Sequence, residues 1–101
     1  MTKKETQPKL ADKVEEWFEQ ENLKQKLTPV KLGNKIIQKA WMLNDNHTPA
    51  VQEKGINQEK IEEQISELMI YCIQLSNYYH LDYETIISEN LDKKMRRKKD
   101  E

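Results

Sequence analysis

Apolar positions along this chain recur at helical spacing in four separate runs. In the first, about residues 8 to 23, Leu10, Val14, Trp17 and Phe18 stand at i, i+4, i+7 and i+8, one stripe on an otherwise charged helix. The second opens at Thr28, whose hydroxyl suits an N-cap, with Pro29 in the first helical position and Leu27 placed to staple onto Leu32. It is expected to reach about Asn44. Asn44-Asp45-Asn46-His47-Thr48-Pro49 and then Gly55 predict a loop from Asp45 to Ile56, the segment expected to move most. Asn57 opens the longest helix, running to about His80, or about 36 Å at 1.5 Å per residue. Ile61, Ile65, Leu68, Met69, Cys72 and Leu75 hold one of its faces, while Ile70, Tyr71 and Ile73 spread round the rest. A helix of that apolar girth is expected to be surrounded on several sides. The last helix starts at Asp82, with Leu81 and Ile86 in staple positions and Ile87, Leu91 and Met95 as its stripe. No internal repeat or long heptad run interrupts this pattern.

Composition narrows the class. A chain of 101 residues holds one core, here expected as an all-α four-helix bundle over residues 9–97, after a disordered N-terminus (1–8) and before a charged tail (98–101). Two glycines and three prolines suit helices rather than strands. Only 36% of residues are apolar against 35% charged, so a monomer buries little and self-association is favoured. A net charge of −1 gives no general attraction to nucleic acid or acidic membranes. Without a run of roughly 20 apolar residues or a secretory leader, the expectation is a soluble, cytoplasmic protein with no membrane partner. Cys72, the single cysteine, permits no internal disulfide, and between Tyr71 and Ile73 it is expected to be buried and inert.

Charged residues offer several kinds of chemistry. At 100° per residue, Ile36, Ala40 and Leu43 point inward and Lys31, Lys35, Gln38, Lys39 and Met42 form a flank of the second helix. Gln64 and Glu67 border the apolar face of the third, so pairing these borders sets Lys39 and Met42 opposite Gln64 and Glu67. Glu59, Glu63 and Glu67, with Glu62 beside them, read as a solvated acidic face or as metal ligands. His47 and His80 lack partners at ligand spacing, which makes their roles structural or incidental. Trp17, Phe18 and Trp41 read as core or interface anchors, with stacking on a base as the alternative, and Tyr71, Tyr78 and Tyr79 follow the same logic. Lys93, Lys94, Arg96, Arg97, Lys98 and Lys99 complement the negative end of the last helix dipole. Nucleic-acid binding by this run is disfavoured because Asp100 and Glu101 follow and no aromatic is interleaved.

Ile36-Ile37-Gln38-Lys39-Ala40-Trp41-Met42-Leu43 and the stretch from Ile61 to Tyr71, together with Val14-Glu15-Glu16-Trp17, Thr28-Pro29 and the Leu81-Asp82 turn, resemble the MazG-like all-α nucleoside triphosphate pyrophosphohydrolases over about residues 10 to 98. That family carries E-E-x-x-E on one helix and E-x-x-D on the next, acids that hold Mg²⁺. In their place this chain offers Gln38, Lys39 and Met42, then Gln64 and Glu67, so one acid survives and the site is degenerate. The resemblance implies a homodimer or dimer of dimers in which the second and third helices pair with those of another subunit. It further implies that Asn90 and Lys94 of the basic last helix contact nucleotide phosphates, and that the chain is of the short phage or mobile-element type.

Magnesium binds through several oxygen ligands, mainly carboxylates, and an ammonium among them repels it. Lys39 is therefore expected to neutralise Glu67 directly, in place of the cation. Three functions follow. In the first, the chain has lost pyrophosphohydrolase activity and binds a nucleotide or protein partner, in an accessory or counter-defence role and without a cofactor. In the second, it is a Mg²⁺-dependent enzyme with a reduced site of Glu63 and Glu67, joined by Glu59 or Asp45. In the third, it is a purely structural or regulatory helical module.

Overall fold

A computed structural model of the chain describes residues 9–46, 48 and 53–100. Residues 1–8, expected to be disordered, and most of the central loop, including His47 and residues 49–52, lie outside the described residues, as does Glu101. Among the described residues the helices are, in order, α1 (Leu10–Gln20), α2 (Leu23–Lys26), α3 (Pro29–Asp45), α4 (Gln58–Tyr78) and α5 (Tyr83–Asp100). No strand occurs among the described residues.

Local chemistry sets the helix starts. Thr28 Oγ1 accepts from Lys31 N at 3.5 Å and Asn57 Oδ1 accepts from Lys60 N at 3.2 Å, each taking up an amide that the first turn leaves without a partner. Asp82 Oδ2 does the same for Thr85, accepting from its amide at 3.1 Å and from its hydroxyl at 2.5 Å. The first helix, expected to about residue 23, ends at Gln20; Asn22 adopts a left-handed backbone (φ 60), and the short α2, which the sequence pattern did not indicate, follows it. Asparagine accepts this region more readily than most residues, and a kinked N-terminal hairpin results.

Packing is built on α4. Both α3 and α1 run antiparallel to it: Lys39 and Asn46 of α3 and its C-cap meet Glu67 and Gln64, while Ala11 near the start of α1 meets Asn77 near the end of α4. Val14, Phe18, Leu32 and Ile73 form the buried cluster, with Ala11, Leu23, Leu27, Ile70, Tyr71, Leu75 and, from the first turn of α5, Tyr83 around it. Phe18 meets the rings of Trp17 (centroids 5.1 Å) and Tyr71 (5.9 Å) edge-on, the arrangement that ring quadrupoles favour.

The face of α4 that is buried differs from the one its pattern suggests. Ile65, Met69 and Cys72 are exposed, whereas Ile61, Gln64, Ile73 and Gln74 are buried, so the covered arc is turned by roughly 90° at 100° per residue. Cys72 is accordingly exposed rather than buried, although neighbouring groups desolvate its thiol enough to raise its pKa. Trp17 and Trp41 are exposed too, Trp41 at 67%, so neither is a core anchor within one chain. Nor is α4 surrounded: it is covered by α1 and α3, and α5 meets the core through Tyr83 in its first turn.

Candidate functional site

The α3–α4 interface carries the chemistry. Lys39 Nζ stands 3.1 Å from Glu67 Oε1, with the two side chains 19% and 37% exposed. One turn of α4 earlier, Gln64 is 5% exposed, and its Oε1 accepts from Asn46 Nδ2 at 2.7 Å. The same Asn46 amide donates to the Met42 backbone carbonyl at 3.1 Å. Burial of Gln64 is tolerated because its carbonyl is satisfied; without Asn46, a buried amide oxygen would lose its partner at a cost of about 1–3 kcal/mol.

Four of the five singled-out positions thus gather on one side of the interface: Lys39 with Glu67, and Met42 with Gln64 through Asn46. Gln38 does not join them. It lies on the outer surface of α3, lining a shallow groove with Leu27, Lys31, Asn34 and Lys35. Glu63 is exposed one turn before Glu67. Among the described residues no group of three or more His, Cys, Asp or Glu side chains stands close enough to hold a metal ion. Asn90 and Lys94 are exposed on α5, and Asn90 shares a depression with Glu89 and Lys93.

Sequence reasoning missed Asn46, which it placed in a loop. Its signal was the position just after the α3 pattern, where asparagine often caps a helix and can bond back to the last turn.

No family model, curated protein or solved structure matches the chain. Any assignment therefore rests on the chemistry of the site itself.

That chemistry does not fit a divalent cation. The Glu67 carboxylate already holds an ammonium at contact distance, and Gln64, one turn earlier on α4, is a neutral amide engaged by Asn46. A doubly charged ion about 4 Å from an ammonium meets repulsion on the order of 8 kcal/mol at an effective dielectric near 20. Lys39 must leave before such an ion can enter. What the arrangement does is latch α3 to α4 by one ion pair and one amide relay.

A second polar feature lies at the other end of the bundle. Lys24 Nζ stands 3.0 Å from Glu15 Oε2, tying α2 to α1, and Glu15 raises the pKa of that ammonium. Glu15 Oε2 is buried without a well-angled hydrogen bond, so the contact is ionic in character. Close by, Asn77 Nδ2 donates to Ala11 O at 3.0 Å and to Gln74 Oε1 at 3.3 Å. Among the described helices none is long and apolar enough to cross a membrane.

Proposed function

We propose that this chain is a catalytically degenerate relative of the MazG-like pyrophosphohydrolases that acts by binding a nucleotide or protein partner, as a self-associating helical protein. The observation that carries this reading is the 3.1 Å contact between Lys39 Nζ and Glu67 Oε1. An internal cation takes the place of an external one, and the fold keeps its α3–α4 pairing without metal. Pyrophosphate release from a nucleoside triphosphate needs a charged cluster to hold the metal and activate water, and one ion-paired carboxylate supplies neither.

Two measurements test this. With nucleoside triphosphates and Mg²⁺ or Mn²⁺, no pyrophosphate should form; turnover abolished by Glu67→Ala would instead establish an enzyme. In thermal denaturation, Mg²⁺ or EDTA should leave the wild-type midpoint unchanged, whereas a nucleotide that binds should raise it. Lys39→Glu sets a second carboxylate beside Glu67, so that variant should acquire Mg²⁺-dependent stability of about 1.4 kcal/mol when the ion is at ten times its dissociation constant. Mg²⁺ stabilising the wild type as much as the variant would defeat the proposal.

A further inference from the structure

Where α4 turns into α5 the chain leaves open an apolar groove of about 260 Å³, walled by Met69, Cys72 and Ser76 on one side and Tyr83, Ile86 and Ile87 on the other. Both walls continue beyond it as exposed apolar stripes. Ile65 extends the α4 wall, and Leu91 and Met95 extend the α5 wall. From Glu84 to Arg97 every residue of α5 is exposed, so no described residue covers this stripe.

Charge differs between the two walls: the first half of α4 is mainly acidic, with Glu59, Glu62, Glu63 and Glu67 against Lys60, and the second half of α5 mainly basic, with Lys93, Lys94, Arg96 and Arg97 against Asp92.

We propose that a second copy of this chain closes the groove, with α5 of each copy lying antiparallel along α4 of the other and the two turns side by side. This rests on the self-association in the functional reading and names the surface that performs it. Leu91 and Met95 then cover the partner subunit's Ile65 and the partner subunit's Met69, and the basic end of α5 reaches the partner's acidic α4 start. The other exposed stripe, Val30, Ile37 and Trp41 on α3, is a poorer candidate. It is flanked by Gly33, Asn34 and Asn44, so it offers a second copy no complementary charge.

Sedimentation equilibrium of the full chain tests the surface. The wild type should be a dimer at micromolar concentration, and Leu91→Asp should weaken it by about 30-fold or more, as expected for a central apolar contact. Trp41→Asp should leave the dimer intact. Glu62→Lys and Lys94→Glu should each weaken it, and the double variant should recover; these exposed changes leave the buried cluster untouched. Cys72 should react slowly with a maleimide in the dimer and fast in Leu91→Asp. A dimer lost in Trp41→Asp and kept in Leu91→Asp overturns this surface while sparing self-association. A wild type that remains monomeric overturns both.

Discussion

α1 and α5 place apolar residues at the same spacing, Leu10, Val14 and Phe18 on one and Ile87, Leu91 and Met95 on the other. Val14 and Phe18 are buried, while all three residues of the α5 stripe are exposed. The difference lies in the neighbours rather than in the pattern. α1 is held against α4 by the Asn77 bond to Ala11 and by the edge contact of Phe18 with Tyr71, whereas α5 leaves the body within a few residues of Asp82. An amphipathic period shows that a stripe exists, and the chain path decides whether it has a partner.

Phe18→Ala gives the largest expected break in that comparison. Emptying the centre of the buried cluster should cost about 3–5 kcal/mol in denaturant unfolding, a large part of the stability of so small a domain. Leu91→Ala, measured where the chain is monomeric, should cost under about 0.5 kcal/mol. Equal losses would show that α5 is covered within its own chain.

Asn77→Ala should cost about 1–2 kcal/mol, because it removes the tie between the end of α4 and the start of α1 and leaves the Gln74 carbonyl without its donor. Gln74 is only 2% exposed, so water cannot readily replace that bond. Gly33→Ala should act in the other direction. A Cβ there meets nothing within 4 Å, and alanine in a helix interior gains about 0.5–1 kcal/mol over glycine, which should raise the melting midpoint of the body without changing α5.

The smallest expected effect concerns pH at the start of α5. Bonds from the Thr85 hydroxyl and amide hold the Asp82 carboxyl below its usual pKa. Stability from that cap is complete at neutral pH and is lost as pH falls through the lowered folded value. Circular dichroism of the wild type should therefore show the helix fraying in acid. Thr85→Val should reduce that acid-dependent loss, since it removes the hydroxyl donor.

The helix starts at Thr28, Asn57 and Asp82 were legible because capping needs only residues within one turn. So was the meeting of Lys39 with Glu67, because each borders an apolar face and the two helices run antiparallel. The covered side of α4 was not legible. Its apolar residues span more than half the circumference, and two polar residues decide the matter: Gln64 is satisfied from α3 and Gln74 from Asn77. A reading that counts amides as surface turns the helix the wrong way and buries Cys72. The left-handed turn at Asn22 was missed because the apolar stripe stops at Phe18 and the polar run from Glu19 to Asn22 marks no exact end for the helix.

At His80 the backbone is left-handed (φ 58), a region that costs a residue with a Cβ on the order of 1 kcal/mol. The amides of His80 and Leu81, donating to Asn77 O and Ser76 O, hold it there. Together they act as a fixed steering joint for an arm of 18 residues. That arm is about 27 Å long, so a change of about 10° at the joint would swing its cationic tip by roughly 5 Å. One torsion angle thus governs how far the positive end of the molecule reaches.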